Sequence, residues 1–233
     1  MKFLKKIIKN FFNENKQFMK IEYSSKSILN KLCEKYGCDK GIFENHHHYF
    51  NWPPHNYSDF YEFLFTAKRD KIKRVFELGI GTNKVFNKNL VRKVKPGASL
   101  RVWNEYFKNA TIYGGDIDKS TLFEEKKIKT FYVDQTCKKS IKNMWKNIKV
   151  SNFDLIVDDG CHQFEATLNF FNESFDKLSK NGFYIIEDIY EGDKKKYINY
   201  FKKKPCNFYF INLNNEFDYK DNNLLLVTNF EKN

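Results

Sequence analysis

Five short apolar runs, each delivering a glycine or a carboxylate at its C-terminal end, constrain most strongly what this chain can fold into. They are RVFELGIGT (Arg74 to Thr82), TIYGGDID (Thr111 to Asp118), KTFYVDQ (Lys129 to Gln135), FDLIVDDGCH (Phe153 to His162) and GFYIIED (Gly182 to Asp188). Each reads as a strand running into a turn. In an open α/β sheet, ligands gather outside the carboxyl ends of the strands. Asp158, Asp159, Glu187 and Asp188 therefore converge on one cleft, with His162 three residues beyond Asp159. That combination is a candidate site for a metal ion and for proton transfer.

The first three runs describe a second ligand. Gly79 and Gly81 follow the first strand, where the absence of a Cβ lets backbone approach a ligand closely. Lys84 stands where a dinucleotide fingerprint places its third glycine, which weakens a nicotinamide or flavin assignment. An acid after the second strand, Asp116 or Asp118, can accept both hydroxyls of a ribose. A polar residue after the third, Asp134 or Gln135, can hydrogen-bond an adenine edge.

The remaining pattern supports a doubly wound, Rossmann-like α/β fold of about seven strands. From Gln163 to Lys180, Phe164, Leu168, Phe171, Phe175 and Leu178 recur at helical spacing, and Asn181-Gly182 supplies a stop. Phe208 to Leu213 and Leu224 to Thr228 read as a closing pair of strands. The 233 residues suit one domain, assigned to residues 26–233, with a helical extension over residues 1–25. In that extension Phe3, Leu4, Ile7, Ile8, Phe11 and Phe12 share one face among lysines. Such a basic amphipathic helix is too charged to span a bilayer and lacks the features of a secretion signal. Packing on its own domain or a contact between subunits of a homo-oligomer is the expected role, and peripheral contact with an anionic membrane is the alternative.

The net charge of +12 and pI near 9.3 raise nucleic acid as a partner, but the lysines are spread along the whole chain. The fourth strand ends in DDGCH, not in the Asn/Asp-Pro-Pro-aromatic motif of nucleobase amino-methylation, so no nucleic acid is expected. His46, His47 and His48, with His55 close by, read as a loop over the site before they read as a metal centre. Five cysteines without a CxxC spacing suggest reduced thiols in a cytoplasm.

With LCEKYGCDKG (Leu32 to Gly41), HNYSDFYEFL (His55 to Leu64) and GASLRVWNEYFKNATIYGGDID added to the strand-end motifs, the chain resembles the class I S-adenosylmethionine (SAM) methyltransferases. More narrowly, it resembles the macrocin-type sugar O-methyltransferases, across most of residues 28–190. The resemblance implies a SAM pocket from Glu77, Gly79, Gly81, Asp116, Asp118, Asp134 and Gln135. It also implies a divalent cation, Mg2+, on Asp159, Glu187 and Asp188, with His162 as general base. Tyr57 falls in a family-like segment and is a candidate cofactor or substrate contact. Two departures stand out: Cys161 occupies a usual serine position, and Lys84 to Pro96 looks inserted.

The expected activity is metal-dependent O-methylation of a sugar hydroxyl, with a nucleotide-activated sugar such as GDP-heptose for a surface polysaccharide as the specific candidate. The alternatives are a catechol-type O-methyltransferase and a non-catalytic SAM-binding assembly subunit. The first would methylate flat phenols, and the second would bind SAM without transfer.

Overall fold

The structure, a computed structural model, describes residues 27–44, 50, 52–81, 95–213 and 220–228. The amphipathic extension, His46 to His48 and nearly all of the Lys84 to Pro96 segment lie outside these residues. The strands are β1 (Arg74–Leu78), β2 (Thr111–Asp116), β3 (Glu124–Glu125), β4 (Ile128–Tyr132), β5 (Phe153–Asp158), β6 (Leu178–Ile186), β7 (Asn207–Asn212) and β8 (Asn223–Thr228). They form one sheet in the order β3-β4-β2-β1-β5-β6-β8-β7. The pairs β4-β2, β2-β1, β1-β5 and β5-β6 are parallel, while β6-β8, β8-β7 and β3-β4 are antiparallel. The expected seven strands are thus present, and the eighth is a two-residue edge strand too short to leave an apolar signature.

Alternation along the central strands sorts side chains to two faces, and each face is covered by helices. On one face Val75, Ile112, Leu155, Val157, Phe183 and Ile185 pack against α1 (Ile28–Tyr36), α2 (Tyr57–Phe65) and α3 (Ala98–Tyr106). On the other, Phe76, Leu78, Ile156, Tyr184 and Ile186 meet α4 (Lys138–Ile148), α5 (Phe164–Ser174) and α6 (Lys194–Phe201). No helix among the described residues is long and apolar enough to cross a membrane.

The sheet corrects the expected helix over Gln163 to Lys180. α5 stops at Ser174, a short 3-10 turn covers Phe175–Lys177, and Leu178 already pairs with Phe153 as the start of β6. The register then shifts, so that Leu155 pairs with Phe183. Asn181-Gly182 therefore lies in a bulge inside the strand instead of stopping a helix. A Cβ on Gly182 would lie 2.7 Å from the Phe153 carbonyl oxygen, which explains why this close crossing holds glycine.

Beside α2, Lys68 places its ammonium 3.4 Å from the centre of the Phe183 ring. Burial lowers its pKa to about 7, with Asp154 opposing weakly. Because the folded-state value lies below the usual 10.5, charging Lys68 costs stability, and that cost grows as pH falls from 10.5 through about 7. Lys68→Met is expected to raise stability by roughly 1–2 kcal/mol at pH 6, after discounting for partial exposure and for the lost ring contact. The gain should shrink toward pH 11, where both states hold a neutral amine. Urea unfolding at the two pH values checks both parts.

Candidate active site

β1 leads to β2 on one side and lies against β5 on the other, so the sheet changes direction of winding between β1 and β5. A ligand cleft is expected at that point, outside the strand ends. A cavity of about 560 Å3 opens there, within the size range of small-molecule sites. Its walls include Gly79, Gly81, Asp116, Asp134 and Gln135 together with Asp159, His162 and Asp188.

The glycines after β1 carry φ of 82° at Gly79 and 79° at Gly81, values that favour glycine. A Cβ on Gly79 would sit 1.8 Å from the Asp159 carbonyl oxygen. This glycine is therefore required first for the crossing of the β1 and β5 turns, and only through that crossing for the shape of the ligand cleft. Asp116 Oδ2 accepts from the Ile80 amide (3.0 Å), and its Oδ1 accepts from the Asp118 amide (2.8 Å). These bonds tie the β1 and β2 turns together and leave each oxygen further acceptor capacity.

Asp118 caps a 3-10 turn instead, accepting from the Ser120 amide and hydroxyl, and does not line the cavity. Asp134 closes a turn in the same manner onto Thr136 while facing the cavity. Gln135 bridges two loops: Nε2 donates to both oxygens of Asp158, and Oε1 accepts from the Cys161 amide. Burial pushes the Asp158 carboxyl up to about 7, and the Gln135 bond works against that rise.

The acidic end is more elaborate than the sequence suggests. Asp159, His162 and Asp188 each bring one potential ligand atom to within 4.8 Å of the others. His162 and Asp188 both adopt left-handed backbone, with φ of 54° and 52°. Such strain in non-glycine residues concentrates at functional sites, and here it turns both side chains to the cavity. His162 Nε2 lies 3.8 Å from Asp188 Oδ2. Two carboxylates beside open space form a donor set that suits a hard divalent cation, so these residues fit a bound Mg2+.

Glu187 is not part of that cluster. Fully buried, it accepts from the Tyr61 hydroxyl at Oε1 (2.5 Å) and from the Lys40 ammonium at Oε2. Lys40 also donates to Asp159 Oδ2 (2.6 Å) and lies 3.5 Å from Glu77 Oε1. Glu77, expected in the cofactor pocket, is fully buried behind the cavity wall and takes the Trp103 indole N–H at Oε2. Burial disfavours the Lys40 ammonium, but Asp159, Glu187 and Glu77 hold its pKa well above the ordinary value. Burial likewise raises the carboxyls of Glu187 and Asp159, the latter to about 7, with Lys40 opposing.

Tyr57 also falls behind the wall. Its hydroxyl donates to Asp188 Oδ1 (2.5 Å), so it orients a site carboxylate and does not itself face the cavity. Tyr57 and Tyr61, four residues apart on α2, present two phenols to the consecutive carboxylates Asp188 and Glu187. His55 stacks on Tyr57 at 4.6 Å, and its Nε2 lies 3.9 Å from Asp188. Burial opposes charging of His55, yet Asp188 raises its pKa, and His55 and His162 together help hold Asp188 below the usual carboxylate range against its own burial. Lys40, Tyr61 and His55 were not marked by the strand-end pattern because all three lie on the loop and helix that close over the strand ends.

The parallel core, the strand order and the cleft at the β1/β5 switch point define the Rossmann-like fold of class I methyltransferases. The solved structure of the MycE methyltransferase of the mycinamycin pathway, in complex with Mg and SAH, aligns over 88% of this chain and 55% of that one with a TM-score of 0.62 and 24% identity. No family model matches the chain. In sequence it is a relative of the macrocin-type sugar O-methyltransferases, as the motifs implied. Demethylmacrocin O-methyltransferase of Streptomyces fradiae is 30% identical over 167 residues, 72% of this chain and 38% of that one. A rhamnosyl tetracenomycin-C 2'-O-methyltransferase of Streptomyces olivaceus is 30% identical over 138 residues, 59% of this chain and 34% of that one. Mycinamicin VI 2''-O-methyltransferase of Micromonospora griseorubida is 29% identical over 72% of this chain and 37% of that one. The chain thus spans little more than a third of the length of these relatives.

Proposed function

We propose that this protein is a SAM-dependent and divalent-cation-dependent O-methyltransferase acting on a sugar hydroxyl. The observation that carries the proposal is the meeting of Asp159, His162 and Asp188 in one cavity with Gly79, Gly81, Asp116 and Asp134. MycE was solved with Mg and SAH, and in another crystal with mycinamycin VI as well, which supports carrying both groups to this cavity. Asp116, Asp134 and the glycine turns would hold SAM, and Asp159 and Asp188 would hold the cation.

When bound, SAM offers a methyl group on a sulfonium, and the cation lowers the pKa of a sugar hydroxyl and orients it. The chain does the rest. His162 would take the hydroxyl proton, since a hard cation prefers oxygen donors and leaves the imidazole free. Tyr57 and Lys40 hold the carboxylates, and the close crossing of the β1 and β5 turns at Gly79 ties the glycine turn to Asp159.

The acceptor we favour is a nucleotide-activated sugar such as GDP-heptose, a precursor for surface polysaccharide, because the net charge of +12 suits a diphosphate. In this proposal the basic segment of residues 1–25 is an accessory to a catalytic domain of residues 26–233. The test is methyl transfer from SAM to a panel of nucleotide sugars and catechols, read by mass spectrometry with Mg2+ and with excess chelator. Addition of one methyl to a sugar, only with Mg2+, is the expected result. Transfer to catechols alone would replace the sugar with a phenol, and SAM binding without any transfer would remove the enzymatic proposal.

A further inference from the structure

Lys40 places a buried ammonium against the carboxylates of the site. It is 3% exposed, and its ammonium contacts Asp159, Glu187 and Glu77, carboxylates delivered by three different strand ends. An ammonium so placed is already a cation bound by the acidic cluster. We propose, on the basis of the divalent site above, that Lys40 is a built-in counter-ion that shares Asp159 with the divalent cation and thereby sets how tightly that cation binds.

Lys40 lies in contact with Asp159, itself a member of the Asp159, His162 and Asp188 cluster, so a divalent ion there would have a fixed positive charge close by. Like charges at such spacing repel strongly where water is scarce. Lys40 also occupies one oxygen of Asp159, an oxygen that a cation would otherwise recruit. Both effects weaken cation binding. The same ammonium keeps the cluster from carrying several uncompensated buried charges, which would be strongly destabilising. Lys40 is thus a positioning residue whose removal should lower stability and yet tighten the ion.

A merely structural lysine predicts the opposite sign for cation binding, which makes the direction diagnostic. Lys40→Gln keeps a hydrogen-bond donor toward the carboxylates and removes the charge, and Lys40→Met removes both while keeping much of the buried stem. Mg2+ affinity should be measured by calorimetry, and the thermal midpoint with chelator and with Mg2+, for the wild type, both variants and Asp188→Asn. Both Lys40 variants are expected to bind Mg2+ at least about tenfold more tightly than the wild type, about 1.4 kcal/mol. They should also melt lower in chelator and show a larger rise in midpoint on adding Mg2+.

If a variant is unfolded in chelator, folding induced by Mg2+ at concentrations too low to shift the wild-type midpoint supports the proposal. Its absence counts against it. Unchanged or weaker Mg2+ binding by folded Lys40→Gln, with the wild type binding and Asp188→Asn not, overturns the role of Lys40 and leaves the divalent site standing. No Mg2+ binding by the wild type overturns both.

Discussion

His162→Asn is expected to lower turnover by about 100-fold to 10,000-fold, the usual contribution of a positioned base. SAM and Mg2+ affinities should stay nearly unchanged. Asparagine is the informative substitution because His162 sits at φ 54°, a conformation that asparagine tolerates better than alanine does. The variant therefore removes the imidazole while keeping the strained turn. Calorimetry separates the two roles open to this side chain. His162 offers a nitrogen to the same cluster as Asp159 and Asp188, so a ligand role would show as a large loss of Mg2+ affinity. A base role leaves Mg2+ binding intact and abolishes the dependence of turnover on the ionisation of that imidazole. Loss of SAM binding in a folded protein would contradict the assignment.

Asp188→Asn should weaken Mg2+ binding by about 100-fold or more, since loss of residues that merely support a metal ligand already costs about 10-fold to 100-fold. Asparagine again suits the backbone, at φ 52°, and can still accept the Tyr57 hydroxyl. Activity should fall with metal affinity and recover partly at high Mg2+. A companion effect concerns stability. Asp159 has a folded-state pKa raised to about 7 by burial and by its neighbouring acids, so the folded protein favours its protonated form. Its contribution to stability is then present below pH 3.8 and is lost as pH rises through about 7. In chelator, the midpoint of thermal unfolding should decline over that window, and Asp159→Asn should flatten the slope. Mg2+ should flatten it too, because a bound cation favours the carboxylate.

The parts of the site carried by strand ends were legible in the sequence, and those carried by the covering loop and helix were not. Gly79, Gly81, Asp116, Asp134, Asp159, His162 and Asp188 all face the cavity because a residue just past a parallel strand has little choice of location. Glu187 shows the limit of that rule. It is one residue from Asp188, but the left-handed turn at Asp188 separates the two, sending one to the cavity and the other to Lys40 and Tyr61. Lys40 follows the left-handed Gly37 cap of α1 on a loop without periodicity, and its burial depends on three carboxylates remote in sequence. The phenols of Tyr57 and Tyr61 do recur at helical spacing, yet spacing marks them only as part of the buried face of α2. Likewise, an apolar stripe runs smoothly from Phe164 to Leu178 although its last member begins a strand. The bulge at Asn181-Gly182, seen only when β6 pairs with β5, decides that boundary.

The most direct test of the central claim is a crystal structure of the wild-type protein grown with Mn2+ and SAH, with the ion located by its anomalous scattering. The account predicts Mn2+ bound to Asp159 and Asp188, with SAH alongside Gly79, Gly81 and Asp116 and its sulfur facing His162. An ion bound elsewhere, or SAH absent from the cleft at saturating concentration, would contradict it.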